Sequence, residues 1–530
     1  MSLSDEQTRL VQALCEPERQ PHPVEHMETH ISHILLAGEF AYKIKKPLDL
    51  GFLDFTSLEK RHFYCEEELR LNRRLAPQLY LAVIPIHGSS EAPRLGTEQP
   101  GPIIEYAIKM NRFPQESLFD QMAQRGALHA EHIDALAGVV ADFHAKVART
   151  DTVSPWGGAA GIEAPMRQNF SQIRALLNDP AEQEALDRLE EWSCREHARL
   201  ANIFAARQRD GWVRECHGDL HLGNVVWLAG AAQPFDGIEF NANLRWIDVV
   251  SEVAFMVMDL HAHDCASLAQ RFLNTWLEHS GDFGGLALLN YYVVYRAMVR
   301  AKIARLRAAQ MNTAAIDEPA RQQALAEYAR YVALAQRFSQ SHQRTLIIMH
   351  GLSGSGKSVL AEALCETLGA VRIRSDVERK RMQGLAPLAR SGSAQGGGIY
   401  GKQTTAETYA ELARLARLIL DAGWPAVGDA TFLRREQRAG LRAVAEKCGT
   451  PLLIVTCSAE HGQLRERIAR RQAQQKDVSE ADLAVLENQL DALEPLDEPA
   501  LAEELRITID TARQSNVEAV TRIAAALAEK

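Results

Sequence analysis

From Glu25 to about Ile86, apolar and polar positions alternate in the way that half-buried strands require. Two such runs, Ile31/Ile34/Leu36 and Phe40/Tyr42/Ile44, flank Gly38, and this predicts a hairpin with the glycine in its turn. Residues 1–20 carry the pattern of a short amphipathic helix. Between Phe63 and Leu75 the spacing becomes helical again and stops before Ala76-Pro77, because proline disfavours helical geometry in the residue ahead of it. The run Ile103-Ile104-Glu105-Tyr106-Ala107-Ile108 predicts the last strand of a small sheet. After Pro114 the chain reads as helical to about Ser341, interrupted by residues 212–248. The pattern is thus a small β-lobe of about 25–110 followed by a helical lobe of about 111–340.

A second rhythm begins at Thr345. The apolar run Thr345-Leu346-Ile347-Ile348-Met349 feeds directly into a glycine loop, and later apolar runs at 424–427 and 451–457 alternate with helical stretches. Continuous apolar strands separated by helices predict a parallel sheet covered on both faces. The segment 317–343 is helical and polar on one side. A boundary around Ser339–Arg344 therefore divides the chain into domains of 1–340 and 344–530. The one low-complexity stretch, Ser391 to Gly398, predicts a loop. The fold class is α/β with two domains.

Composition agrees with this layout. A chain of 530 residues exceeds a single ordinary core. Its 46% hydrophobic and 24% charged content are those of a globular protein. No apolar stretch reaches the ~18–20 residues that span a bilayer. The start, Met1-Ser2-Leu3-Ser4-Asp5-Glu6-Gln7, lacks the basic and apolar regions of a signal peptide. Eight scattered cysteines without a CxxC pair suit buried free thiols in a reducing cytoplasm. The net charge of −10 resides mainly before Arg344, and it argues against a dedicated nucleic-acid binder.

The chemistry concentrates in two segments. The first is His217-Gly218-Asp219-Leu220-His221-Leu222-Gly223-Asn224, followed by Phe235-Asp236-Gly237. Asp219 and Asn224 have the H-x-D-x-x-x-x-N spacing of a kinase catalytic loop, which sets an Asp beside the acceptor hydroxyl and an Asn on the metal. Val225–Leu228 reads as a strand, and the turn after it makes Asp236 the second metal ligand. Phosphoryl transfer uses such a set because charge spreads over the equatorial oxygens and carboxylate-held Mg2+ neutralises it. His221 is read as a structural hydrogen-bonder. His26, His30 and His33 share no helical face on a strand-rich stretch and are read as incidental.

With these residues, the segment from about 25 to 335 resembles the aminoglycoside phosphotransferase/choline kinase-like family, a bilobal protein-kinase-like fold. The resemblance implies that Lys43 contacts the α- and β-phosphates of ATP, with Lys45 on the same strand face as the alternative. It implies that Glu68 pairs with that lysine, with Glu66 and Glu67 adjacent as alternatives. The backbone at Ala107–Met110 would form the adenine hinge, and Asp248 would brace the catalytic loop. Where the fold usually has a glycine-rich flap, Leu35-Leu36-Ala37-Gly38-Glu39 has one glycine. A nucleotide-binding domain with weak or no transferase activity therefore stays open.

The second segment, Gly351-Leu352-Ser353-Gly354-Ser355-Gly356-Lys357-Ser358, is a complete Walker A match between an apolar strand and a helix. Glycines let the loop backbone wrap phosphates, the helix N-terminus favours their charge, Lys357 bridges the β- and γ-phosphates, and Ser358 holds Mg2+. Downstream, Arg374-Ser375-Asp376-Val377-Glu378-Arg379-Lys380 resembles the P-loop kinase group of polynucleotide kinase, zeta toxin, chloramphenicol phosphotransferase and gluconate kinase. The resemblance implies Asp376 as the base for the acceptor hydroxyl and Arg379 as a partner steadying developing charge. Asp429, ending the strand before Ala430-Thr431, would supply a Walker B-like carboxylate for the metal. Arg467 and Arg470 or Arg471, in Leu464–Arg471, match the lid helix of that group.

These readings converge on an ATP- and Mg2+-dependent phosphotransferase with two nucleotide sites and a hydroxyl acceptor, either a small molecule or a 5′-hydroxyl nucleic acid. Arg372, Arg374, Arg379, Lys380 and Arg381 form the local basic cluster that would favour nucleic acid. Two rivals remain. In one, only the P-loop domain transfers phosphate while the N-terminal domain senses nucleotide or recruits substrate. In the other, the P-loop domain is an ATPase switch, a reading that the Asp376/Arg379 pair opposes.

Overall fold

A computed structural model of the chain describes residues 3–16, 23–51, 53–150, 154–311, 318–341, 343–392, 398–474, 478–497 and 506–528. The chain divides into two compact units, Met1–Asp259 with Met298–Tyr328, and Leu260–Ala297 with Ala329–Lys530. The stretch expected as a glycine-rich loop lies mostly outside the described residues, at 393–397.

The first unit contains a six-stranded antiparallel sheet built from β1 (Val24–Glu28), β2 (Ser32–Ala37), β3 (Phe40–Lys45), β4 (Tyr80–Ser89), β5 (Ala92–Leu95) and β6 (Ile103–Asn111). Their order is β1-β2-β3-β6-β4-β5, so β6 closes the sheet at its centre. Period-two alternation decides what each face meets. Leu36, Ala41, Ile108 and Met110 pack with Cys65 and Leu69 of the helix Leu58–Asn72. On the other face Leu35, Ile44, Ile86 and Ala107 pack with Leu10, Val11 and Leu14 of the helix Leu3–Leu14. Lys43 and Lys45 share the Ala41 face and are both buried, under the helix Leu58–Asn72. That helix starts at Leu58 rather than Phe63 because the Ser57 hydroxyl caps it, accepting from the Lys60 amide at 3.2 Å.

Two short ribbons follow within the helical part of this unit. β7 (Val213–Glu215) pairs with β10 (Trp246–Asp248), and β8 (Val225–Leu228) pairs with β9 (Ala231–Pro234). The long helix Pro180–Arg209 ends just ahead of β7, and the apolar helix Val249–Ala262 starts directly after β10.

The second unit is built on a parallel sheet of β11 (Leu346–His350), β12 (Val371–Arg374), β13 (Ala426–Asp429), β14 (Leu452–Ser458) and β15 (Arg506–Asp510), in the order β12-β13-β11-β14-β15. It is a P-loop fold. Ile347, Met349, Val427 and Val455 are buried against Leu360 and Leu364 of the helix Lys357–Leu368 and Ile523 of the helix Asn516–Ala528. β12 is an edge strand, and the helix Ala266–Ser280 covers its free polar groups. Asn274 accepts from the Arg372 amide at 2.7 Å, while Gln270 and Asn274 donate to the Ala370 carbonyl at 2.7 and 3.1 Å.

All eight cysteines are free thiols. Among the described residues, no helix is long and apolar enough to cross a membrane.

Candidate active sites

In the first unit, the segment after β7 is held by backbone contacts that only particular residues permit. Gly218 has φ +89°, and a Cβ there would lie 2.7 Å from the Leu244 carbonyl oxygen. The Gly218 amide donates to Glu252 Oε2 at 2.7 Å, and the Leu222 amide donates to Asp259 Oδ2 at 2.9 Å. Both acids lie on the helix Val249–Ala262, and His144 Nε2 holds the other Glu252 oxygen at 3.0 Å. The bracing expected of Asp248 therefore falls to Glu252 and Asp259. Asp248 instead forms a bidentate pair with Arg207 at 2.6 and 2.9 Å and accepts from the Val250 amide.

Asn224 donates from Nδ2 to the Asp219 carbonyl at 3.0 Å and to its Oδ2 at 3.1 Å. His221 Nε2 stands 3.5 Å from the same carboxylate, and its Nδ1 accepts from the Gly223 amide. Burial works against a charge on Asp219, but His221, with Arg300 and His217 in support, outweighs it and holds the carboxyl well below the usual range. Burial likewise opposes charge on His221, and Asp219 raises it. The β8–β9 hairpin returns the chain to this loop, with the Phe235 amide donating to the Asn224 carbonyl at 2.9 Å. His217 Nε2 donates to the Phe235 carbonyl at 2.8 Å, so its Nδ1 is the acceptor for the Asp219 amide.

Asp236 takes the left-handed backbone, φ +62°, uncommon for a non-glycine residue. Its amide donates to the Tyr80 hydroxyl at 3.1 Å, and the Gly237 amide donates to Asn72 Oδ1 at 2.7 Å. Lys43 Nζ contacts Asp236 Oδ1 and lies 2.8 Å from Glu68 Oε1. Lys45 Nζ lies 2.5 Å from Glu68 Oε2 and contacts Glu239 Oε1. Of the three glutamates on that helix segment, Glu68 is the one paired with the lysines, and it serves both of them. Lys43 is the lysine that also meets Asp236. The donor set suits a divalent cation, because Asp236 is part-exposed and, among the described residues, the Asn224 side-chain oxygen accepts no hydrogen bond.

The expected hinge lies within the sheet. Ile108 to Met110 pair with β3 on one side and β4 on the other, and Ala107 pairs with β4. The first chain beyond that ladder is Arg112–Pro114, where Phe113 packs edge-on against Phe235 at 5.2 Å.

In the second unit, the loop after β11 turns through three glycines at positive φ: Gly351 at +136°, Gly354 at +81° and Gly356 at +85°. A Cβ at Gly351 would lie 2.4 Å from the Cys457 carbonyl oxygen. Lys357 Nζ donates to the Leu352 carbonyl at 2.6 Å, and burial lowers its pKa. Ser358 Oγ donates to Asp429 Oδ1 at 3.2 Å, while among the described residues the buried Asp429 Oδ2 has no hydrogen-bond partner and only Arg374 Nε as an ion-pair partner, at 3.6 Å. A hydroxyl beside a buried carboxylate oxygen that accepts no hydrogen bond fits a hard divalent cation.

A cavity of about 1500 Å³ opens over this loop. Its walls bring together Ser353, Gly354, Gly356, Lys357, Ser358, Asp376, Arg379, Asp429, Arg467 and Arg470. Gly351 and Ser355 do not line it, and Ser355 is buried. Asp376 sits in the first turn of the helix Ser375–Met382. Arg379 stacks over Tyr400 at 5.0 Å and donates to the Ile399 carbonyl and Thr405 hydroxyl. Arg467 reaches the Gly354 carbonyl at 3.3 Å and Thr511 Oγ1 at 2.9 Å. Thr511 and Gln489, whose Oε1 accepts from the Ser353 amide at 2.7 Å, are loop partners that sequence reasoning missed.

The basic cluster does not form an open surface. Arg372 is paired with Glu278 at 2.7 Å, Arg381 with Glu378 at 2.7 Å, and Lys380 with Glu480 at 3.3 Å. Arg372, Arg379 and Lys380 are buried. In the first unit, His26 Nε2 and His33 Nδ1 meet at 3.1 Å across β1 and β2, a cross-strand pair rather than two incidental residues.

Comparison with known proteins accords with this geometry. Residues 60–289 match the phosphotransferase enzyme family, and residues 346–496 match an AAA domain. Uncharacterized proteins of Mycobacterium tuberculosis and Mycobacterium bovis are 28% identical over 459 residues, covering 87% of this chain and 88% of theirs. A gluconokinase from Sinorhizobium meliloti is 25% identical, covering 36% of this chain and 94% of its own, with a TM-score of 0.25. An amicoumacin kinase in complex with AMP-PNP, Ca2+ and Ami is 13% identical, covering 63% of this chain and 94% of its own, with a TM-score of 0.39. The chain is a tandem of an aminoglycoside-phosphotransferase-like domain and a P-loop kinase domain, and it is a phosphotransferase.

Proposed function

We propose that the chain transfers the γ-phosphate of ATP to hydroxyl acceptors at two separate Mg2+-dependent sites. The observation that carries this reading is the convergence of Lys357, Ser358, Asp376 and Asp429 on one cavity. A switch has no need of an acceptor-activating carboxylate beside its P-loop, so Asp376 favours a kinase.

At the second site the loop amides and Lys357 bind the β- and γ-phosphates, and Ser358 and Asp429 hold the metal. Bound Mg2+ supplies charge neutralisation for the transferring phosphoryl group. Asp376 orients the acceptor hydroxyl and takes its proton, while Arg379, Arg467 and Arg470 steady the phosphates. At the first site Lys43, kept in place by Glu68, binds the α- and β-phosphates. Asn224 and Asp236 hold the metal, and Asp219 receives the acceptor's proton. The low pKa of Asp219 suits a group that orients the hydroxyl and accepts its proton late in a loose transition state.

The acceptor at the second site is read as a small polar molecule, because the basic cluster that would grip a nucleic-acid backbone is paired within the fold. The domain division at about 340–344 and a cytoplasmic location belong to the same reading.

The test is transfer from γ-labelled ATP into a pool of polar metabolites and 5′-hydroxyl oligonucleotides, comparing the unaltered chain with folded Asp219→Ala and Asp376→Ala variants. Two labelled products, each lost in a different variant, support two kinases. Loss of every product in Asp376→Ala alone would reduce the first site to a sensor.

A further inference from the structure

The second unit contains a carboxylate that neither its glycine loop nor its family match supplies. Glu278 lies on the helix Ala266–Ser280, inside the stretch 60–289 that matches the phosphotransferase family, yet it groups with the P-loop unit. It is 9% exposed. Its Oε1 accepts from Arg372 Nε at 3.0 Å and Nη2 at 2.7 Å, and its Oε2 lies 3.5 Å from Arg374 Nη1.

Arg374 ends β12, immediately before Ser375-Asp376, and its other side faces Asp429, with Nε 3.6 Å from Oδ2. That oxygen is the one without a hydrogen-bond partner, in a residue 5% exposed. Arg374 thus stands between two carboxylates, Glu278 on the covering helix and Asp429 at the P-loop. Arg372 adds a second buried cation whose charge Asp429 also feels. Also around Asp429 are the Ser358 hydroxyl, which donates to Oδ1, the Lys357 ammonium, and the buried thiols of Cys365 and Cys457.

The Arg374 guanidinium is thus shared, 3.5 Å from Glu278 and 3.6 Å from Asp429, and the pull of Glu278 limits how fully it can neutralise Asp429. The helix Ala266–Ser280 is well fixed to exert that pull. Gln270 and Asn274 bind it to the backbone of β12, and Arg381 binds its last turn, donating to the Glu278 carbonyl at 2.6 Å and the Leu277 carbonyl at 3.3 Å.

We infer that Glu278 is a positioning residue of the P-loop site: it holds Arg374 away from Asp429 and neutralises Arg372, leaving the Asp429 carboxylate available to a divalent cation. The inference rests on the reading of Asp429 as a metal-holding residue. It makes the helix Ala266–Ser280 part of the nucleotide site, although no P-loop motif reaches it.

The test is Mn2+ binding to the full chain with AMP-PNP, followed by the electron paramagnetic resonance signal of free Mn2+. Asp429→Asn first identifies the class of sites that belongs to the second unit. Glu278→Gln is expected to weaken that class about tenfold, within the range of ordinary coupling between sites. Adding Arg374→Gln to Glu278→Gln is expected to restore most of the loss, which a merely structural role for Glu278 would not produce. Unchanged binding in Glu278→Gln, or no recovery in the double variant, overturns the inference. Should Glu278→Gln fail to fold, Arg374→Gln alone decides: tighter Mn2+ binding supports the competition, and equal or weaker binding overturns it. If Asp429→Asn removes no Mn2+ site, the metal assignment itself fails and the role of Glu278 falls with it.

Discussion

Ser358 Oγ donates to Asp429 Oδ1 at 3.2 Å across 71 residues of sequence. Parallel pairing of β11 with β13 makes this contact, because it sets the end of β13 beside the start of the helix that follows the glycine loop. Replacing Ser358 with Ala leaves the loop backbone intact and removes one oxygen from the proposed metal site. Transfer at the second site should fall about 10–100-fold, with a matching rise in the Mg2+ concentration needed. Initial rates against Mg2+ would show it, and an unchanged Mg2+ dependence would remove Ser358 from the site.

Glu68 is the shared counter-ion of Lys43 and Lys45. Burial alone would raise its pKa, but the two ammonium groups outweigh that and lower it from 4.5 to about 2. Since the unfolded chain binds this proton more readily, the contribution of Glu68 to stability is complete above about pH 4.5 and disappears as the pH falls toward 2. Glu68→Gln should destabilise the first unit by about 3–5 kcal/mol at neutral pH, the cost of breaking a buried pair. Its urea midpoint should also vary less between pH 5 and pH 3 than that of the unaltered chain. Equal slopes would contradict the pairing.

The two buried lysines should separate by function. Lys43→Ala leaves Glu68 with Lys45, so its main effect should be weaker nucleotide binding at the first site. Lys45 is fully buried and makes the link to Glu239, which is also buried. Lys45→Ala strands that acid and should cost about 3–5 kcal/mol of stability. Thermal melts beside nucleotide titrations distinguish them, and the reverse pattern would exchange the roles assigned to the two residues.

Gly351→Ala would place a methyl group 2.4 Å from the Cys457 carbonyl oxygen, at a φ of +136°. Non-glycine residues strained in this way cost about 1–3 kcal/mol each. The loop should lose nucleotide affinity at the second site while the first site binds as before. Full affinity at both sites would show that the loop tolerates a backbone shift.

The two motif segments were legible from sequence because each couples invariant spacing to a local backbone demand. Asp219 to Asn224 and Gly351 to Ser358 are short enough for spacing alone to set their geometry. Longer-range partners were less visible. Glu252 and Asp259 lie two turns apart on one face of a mostly apolar helix, a signal that sequence could have offered and that Asp248 obscured. Nothing in Ala107–Met110 reveals that β6 is a central strand with neighbours on both sides, so the hinge expectation took no account of it. β15 escaped notice because an edge strand shows only two inward apolar positions, Ile507 and Ile509. The basic cluster near Arg372 misled for a related reason: its counter-ion Glu278 is far away in sequence.

On this chain the two proposed nucleotide sites should fill independently. Calorimetric titration of AMP-PNP with Mg2+ into the full chain tests it most directly, beside Lys43→Ala and Lys357→Ala. Two nucleotides per chain are expected, with each substitution removing a different one. One nucleotide per chain, or a single substitution that abolishes both, would contradict it.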